Sequence, residues 1–184
     1  MSQVQHKPMT GAEFLAWEAV QELKWEFDGE QPVAMVGVTD AHGAIQVNLL
    51  VSLRSRLRGT RCYVRGPEIK VEAGASYRYP DAFVSCTPVA STATTAAEPV
   101  VIFEILSPST ADTDRTVKLA EYLGLSSVQR YVMLEQNRAF ATVVSRTDAG
   151  WALTLAGPNG TLAMPEISVE VPMVELYDGV EVSP

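Results

Sequence analysis

Cysteine is nearly absent from this chain: its 184 residues include only Cys62 and Cys86. The two stand far apart and form no CxxC pair, so neither a zinc site nor a disulfide framework is indicated, and reduced, buried thiols are expected. Long apolar runs are missing too. None approaches the ~20 residues that a membrane helix needs, so no membrane association is expected. The opening segment, MSQVQHKPMT, lacks the apolar centre of a signal peptide, and a soluble, cytoplasmic protein is the expectation. Positive charge is scarce, with 14 Lys and Arg against 22 Asp and Glu and a net charge of −8. That argues against a surface that grips nucleic acid everywhere, while leaving room for a local basic footprint. No linker rich in Pro, Gly or Ser divides the chain and no repeat recurs, so one domain over residues 1–184 is expected.

What is present is a hydrophobic fraction of 47%, enough for a real core. Thr10, followed three residues later by Glu13, is a capping box that opens a short helix through Phe14, Leu15 and Trp17. Asp28-Gly29 between two strand-like segments predicts a hairpin, with Glu26 on its first strand. Thr39 caps a long amphipathic helix carrying Ile45, Leu49, Leu50, Leu53 and Leu57 and stopping at Gly59. Strands are predicted at Cys62 to Arg65, Glu68 to Glu72 and Tyr77 to Cys86, and a Thr-, Ala- and Ser-rich loop leads into PVVIFEIL. A helix from about Asp114 to Leu123 follows, ended by Gly124. Beyond it come a strand in VQRYVMLE, a turn at Gln136-Asn137, further short strands and a final helical turn in PMVELY. This order predicts an α+β fold: a mixed central sheet flanked by helices, with an N-terminal helix and β-hairpin. Arg54, Arg56, Arg58 and Arg61 make one basic stretch, with Arg65 and Lys70 shortly after. Its plain reading is a solvated helix end whose cations suit the C-terminal dipole.

Glu104 is out of place in the run PVVIFEIL, which reads as a strand covered on both faces. An ionised carboxylate buried there costs several kcal/mol, roughly, unless it is paired, hydrogen-bonded or bound to a metal. Asp81 is the first candidate partner, because Pro80 before it removes a ladder donor and neighbouring strands could set the two acids side by side. Such a pair invites a cation, and Mg²⁺ takes oxygen ligands and needs only one or two protein carboxylates. The plain alternative is a turn-capping Asp81 and a Glu104 paired with a buried Lys or Arg. Asp114, Lys118 and Tyr122 recur every four residues and share a helix face. Either they form a surface ion pair with a flanking aromatic, or Lys118 points inward, where a cation can orient a nucleophile or stabilise charge on a phosphoryl group. Ser107, Ser109 and Thr110 at the helix entrance could hydrogen-bond a phosphate.

WEFDGE, His42, YPDAFV, VVIFEILSPSTADTDRTVKLAEY and the RYVMLE strand together resemble, in order, the bacterial Uma-two family of restriction-endonuclease-like proteins, a branch of the PD-(D/E)xK nuclease superfamily. The resemblance runs from about Thr10 to Leu134. It implies a restriction-endonuclease-like core and a divalent-metal-dependent endonuclease acting on DNA with Mg²⁺ or Mn²⁺. Asp81 and Glu104 would be the metal-binding acids, the Ile105 carbonyl a further ligand, and Glu26 an acid completing the site. The lysine expected two residues after the acid is replaced by Leu106, and Lys118 on the next helix takes its place as the third catalytic residue. His42 matches a family histidine, though a lone His at a helix start is more often a cap or a core contact. A homodimer is expected from the need to cut two strands. The alternative is a catalytically inactive nuclease fold serving as a binding or assembly module, consistent with the acidic charge and the lack of a separate DNA-reading motif.

Overall fold

The computed structural model describes residues 8–35, 37–96, 98–108 and 110–182. Its centre is β8 (Pro99–Leu106), in which every residue but Val100 is buried. That run is β-branched and aromatic because both faces of the strand are covered. Val101, Phe103 and Ile105 face one core with Ile45, Leu49 and Leu53 of helix α2 (Asp40–Arg56). Ile102 and Leu106 face a second core with Tyr122, Val128 and Tyr131. Glu104, even-numbered like Ile102 and Leu106, falls on the Tyr122 side by the strand's two-residue period. Each large apolar side chain buried from α2 contributes about 1.5–3 kcal/mol, so the helix is held by its packed stripe.

Around β8 lies a six-stranded mixed sheet. Its order is β11 (Gly150–Ala156), β10 (Ala141–Thr147), β9 (Arg130–Glu135), β8, β6 (Ala82–Ser85) and β3 (Tyr63–Arg65). Within this sheet β8 and β9 run parallel and the other neighbours antiparallel, and the helical segment between β8 and β9 supplies the crossover. A five-stranded sheet is ordered β2 (Pro32–Ala34), β1 (Trp25–Phe27), β5 (Ser76–Arg78), β4 (Lys70–Ala73) and β7 (Thr95–Ala96). The two-stranded ribbon of β12 (Thr161–Met164) and β13 (Val169–Pro172) completes the strands, and α5 (Met173–Leu176) follows it. The α+β architecture with helices flanking a mixed sheet agrees with the sequence reading.

Four details depart from it. The segment Tyr77 to Cys86 is two strands in two sheets, β5 and β6, because Pro80 cannot extend a ladder and the chain bends there. The Asp28-Gly29 turn is longer than a two-residue hairpin. Phe27 pairs with Pro32, and Asp28 Oδ1 accepts the N–H groups of Glu30 and Gln31 at 2.9 and 2.7 Å, while Gly29 takes φ +98°. The helix after β8 starts earlier and changes pitch: α over Ala111–Thr113 (α3), a π turn over Asp114–Lys118, then α over Leu119–Leu123 (α4). Finally, Cys62 and Cys86 are not free thiols. They form a disulfide, because the β3–β6 register that pairs Tyr63 with Ser85 brings the two cysteines opposite each other with Cα atoms 3.9 Å apart. A separation of 24 residues hid that adjacency in the sequence.

Helix α1 (Gly11–Glu18) begins with its capping box: Thr10 N–H donates to Glu13 Oε2 at 2.7 Å and Glu13 N–H to Thr10 Oγ1 at 3.2 Å. Thr39 Oγ1 likewise accepts the His42 N–H at the start of α2, so that helix opens with His42 turned into the protein. Among the described residues, no helix is long and apolar enough to cross a membrane.

Candidate active site

Asp81 follows the bend at Pro80. The β6–β8 register pairs Ala82 with Phe103, so one step further sets Asp81 beside Glu104. Asp81 Oδ2 accepts the Ile105 N–H at 2.7 Å, taking the place of a ladder carbonyl. Pro80, next in the register, has no N–H to return to the Ile105 carbonyl, which points to the same side as its N–H. Two residues of α2 hold Asp81 from the other side. Gln46 Nε2 donates to Oδ1 at 3.2 Å and to the Asp81 carbonyl at 3.1 Å, and His42 Nε2 stands 3.2 Å from Oδ2. His42 is buried, and among the described residues its Nδ1 has no hydrogen-bond partner.

Glu104 is only 4% exposed and gathers its partners from the helix after β8. Its Oε1 accepts from Lys118 Nζ and from the Tyr122 hydroxyl, both at 3.1 Å. The ammonium of Lys118 also lies 3.1 Å from Glu26 Oε1 and 3.2 Å from Asp114 Oδ1. Glu26 is brought in by β1: its Oε1 accepts the Tyr79 N–H at 3.0 Å, and its Oε2 accepts from Arg78 at 3.3 Å. Arg78 in turn grips Glu121 with two hydrogen bonds of 2.7 Å. Tyr131 OH donates to the Asp114 carbonyl at 3.0 Å and fixes the π turn against the sheet. Glu26, Arg78, Asp81, Glu104, Asp114 and Lys118 line a cleft of about 550 Å³ that also takes in Ile105, Ser107 and Thr110.

The charges do not balance. Glu104, Asp114, Glu26 and Glu121 are four carboxylates served by two cations, Lys118 and Arg78, and Asp81 beside Glu104 is met instead by the Ile105 N–H, Gln46 and His42. Burial pushes the Glu104 carboxyl well up; Lys118 opposes this, while Asp114, Asp81 and Glu26 add to it. Burial also raises Asp114 against the pull of Lys118. For Lys118, burial works against the ammonium, but Glu104, Glu26 and Asp114 outweigh it and hold the charge in place. Tyr122 is driven far above its ordinary value by burial and by Glu104, so its hydroxyl remains a donor.

A divalent cation fits this donor set. The cleft has surplus negative charge, hard oxygen donors on Asp81 and Glu104, and the Ile105 carbonyl next to Glu104 in the chain. Among the described residues no three His, Cys, Asp or Glu side chains converge as a ready metal cage, and Glu26 has both oxygens engaged. Two carboxylates with water in the remaining positions is a usual Mg²⁺ arrangement. Of the residues the sequence singled out, Glu26, Asp81, Glu104, Ile105, Asp114, Lys118, Tyr122 and His42 meet around one cleft. Ser107 Oγ lies 3.0 Å from Thr110 Oγ1, and Ser109 lies outside the described residues. Gln46, Arg78 and Glu121 were missed. Gln46 stands four residues after His42 on α2, a spacing that could have flagged it; Arg78 and Glu121 carry no such signal.

This is the fold of a nuclease-like protein. A "putative nuclease belonging to DUF820" from Anabaena variabilis ATCC 29413 superposes with a TM-score of 0.78, covering 92% of this chain and 98% of that one at 19% identity. Residues 12–173 match Uma2, the family described as "Putative restriction endonuclease", and the chain belongs to that family. Two uncharacterized proteins of Synechocystis sp. are similar to it. One is 27% identical over 171 residues, 91% of this chain and 90% of the relative. The other is 27% identical over 135 residues, 71% and 76% respectively.

Proposed function

We propose that this chain is a divalent-metal-dependent endonuclease that hydrolyses DNA phosphodiester bonds. The observation that carries the reading is the register of β6 and β8, which sets Asp81 beside Glu104 at a cleft with Lys118 3.1 Å from Glu104. Asp81, Glu104 and the Ile105 carbonyl would hold Mg²⁺ or Mn²⁺. The chemistry such a cation supplies is polarisation of a phosphoryl oxygen and activation of water. The chain's own residues do the rest. Gln46 and the Ile105 N–H fix the Asp81 carboxylate, and His42 backs it from α2. Lys118 stays charged among its acids and offers a compact positive charge to the phosphoryl group as negative charge grows on it. Glu26 and Asp114 hold that ammonium in position, and Arg78 holds Glu26. Tyr122 donates to Glu104 Oε1 and helps Lys118 hold that carboxylate in place. A homodimer would present two such sites to the two strands.

The test is calorimetry of Mg²⁺ binding and plasmid cleavage with Mg²⁺ or Mn²⁺, on the native protein and on Asp81→Asn. The substitution removes a charge and almost no volume. Loss of metal binding together with a drop in cleavage of roughly 10³-fold or more is expected. Unchanged Mg²⁺ affinity in Asp81→Asn removes the site, and metal binding without cleavage by the native protein establishes the inactive binding module instead.

A further inference from the structure

Positive charge is segregated in this chain. Arg54 and Arg56 lie in the last turn of α2, Arg65 on β3 and Arg58 and Arg61 in the connection between them, and no Asp or Glu occurs between Asp40 and Glu68. Arg56 is engaged with Glu175 at 2.7 Å, and Arg65 lies over the Tyr63 ring at 4.6 Å. Arg54, Arg58 and Arg61 are different. All three are exposed, and among the described residues they alone of the lysines and arginines make no hydrogen bond, ion pair or ring contact. The helix dipole favours cations in the last turn of α2. It does not explain Arg58 and Arg61, which lie beyond the C-cap Leu57 and bond none of its carbonyls. Two hollows of about 210 and 460 Å³ open here, and Arg54 and Arg58 line both. β3 is the edge strand of its sheet, so the surface lies at the margin of the fold.

The same helix reaches the cleft at its other end, where Gln46 holds Asp81. Gln46, Leu50 and Arg54 follow one another at four-residue spacing, so they run along one side of α2. The helical rise sets Arg54 about 12 Å from Gln46 along the axis, with Arg58 roughly one turn further. Phosphates on one DNA strand advance about 3.4 Å per base pair, so this distance spans roughly four to five base pairs.

We propose that Arg54, Arg58 and Arg61 form a second contact with the DNA backbone, gripping phosphates roughly four to five base pairs from the one engaged at Asp81 and Glu104. The assignment rests on the nuclease reading for the identity of the polyanion. It gives an acidic protein a local grip on its substrate without making the whole surface adhesive, since three unneutralised guanidiniums face outward at one place.

Binding of a fluorescently labelled DNA duplex in EDTA, followed by anisotropy over a range of salt concentrations, isolates this contact from catalysis. In Arg54→Ala/Arg58→Ala/Arg61→Ala, the slope of log affinity against log salt is expected to fall by roughly one per arginine, and binding at moderate salt by roughly tenfold or more. Arg138→Ala makes a charge change elsewhere, at an arginine 3.5 Å from Glu135, and leaves the slope unchanged. A triple variant that binds like the native protein, an Arg138→Ala variant that loses as much per charge, or a native protein that binds no duplex overturns the proposal. Adding Mg²⁺ separates the two readings. If binding falls in the triple variant but the native protein never cleaves, the nuclease reading fails and the DNA surface stands. If the native protein cleaves and the triple variant binds and cleaves equally well, the surface falls and the nuclease reading stands.

Discussion

Two lysines are equally buried in this protein, each 5% exposed, and their surroundings differ in one respect. Lys70 meets one carboxylate: its Nζ donates to Glu18 at 2.8 Å and to the Tyr79 hydroxyl at 3.0 Å, and Tyr79 OH donates to Glu18 at 2.6 Å. Charge is matched, every partner is satisfied, and the unit pins α1 onto the five-stranded sheet. Glu18 accordingly sits below its ordinary value, since the hydrogen bonds from Lys70 and Tyr79 together overcome the effect of burial. Lys118 meets three carboxylates, and Glu104 is pushed up rather than down. A matched buried pair roughly breaks even in stability and serves geometry. An acid-rich cluster costs stability, and its persistence beside an open cleft is what a bound cation would repay. The contrast separates a structural ion pair from a candidate site without reference to any relative.

That contrast can be broken at several points. The largest effect is expected for Lys70→Ala, which strands Glu18 in the interior and should cost about 3–5 kcal/mol in denaturant unfolding. Mg²⁺ affinity by calorimetry should not change; if it does, the two clusters are not independent. Next, Lys118→Ala should cut DNA cleavage by roughly 10²–10³-fold with little loss of metal affinity, as befits a group acting on transition-state charge. Lys118→Arg should restore only part of the rate, because a planar guanidinium is not a compact point charge. Normal cleavage by Lys118→Ala would reduce the helix to a support.

Smaller effects concern pH, and their signs are opposite. Glu104 has its carboxyl raised in the folded state, so the native protein binds more protons than the unfolded chain above the ordinary value of 4.5. Stability in EDTA should therefore decline as pH rises from about there, and Glu104→Gln should flatten the decline. Saturating Mg²⁺ should flatten it too in the native protein. Glu18 has its carboxyl lowered, so its contribution is present above 4.5 and lost as pH falls through the folded value. Glu18→Gln should remove that acid-side loss while leaving the decline at higher pH intact. Thermal melts across the pH range read both, and a Glu104→Gln profile parallel to the native one would contradict the imbalance.

Much of the fold was legible because its signals are local. The capping box at Thr10 and Glu13, the cap at Thr39 and the apolar run around Glu104 each follow from a few adjacent residues. Lys118 was marked out by its four-residue spacing with Asp114 and Tyr122, but its place as the displaced lysine came from the family resemblance and not from the local residues. What was not legible depends on which strands become neighbours. The split of Tyr77 to Cys86 into two sheets and the Cys62–Cys86 disulfide arise from pairings that no short window contains. The support given by Arg78 and Glu121 is of the same kind, spanning 43 residues. The π turn escaped for a different reason: an extra residue in one turn changes phase without changing composition.

That change of phase makes the segment a ruler. Removing a single residue from the α turn ahead of it, Ala111–Thr113, with the wide turn kept, would turn all that follows by about 100° and draw it back about 1.5 Å. Lys118 and Tyr122 could then no longer both reach Glu104 Oε1, although every functional letter would survive. Substitution at exposed Val117 disturbs nothing of the kind. Length, rather than identity alone, is therefore what descent must preserve here, and a relative with the acids, lysine and tyrosine intact but one residue fewer in this stretch would carry the spelling of the site without its shape.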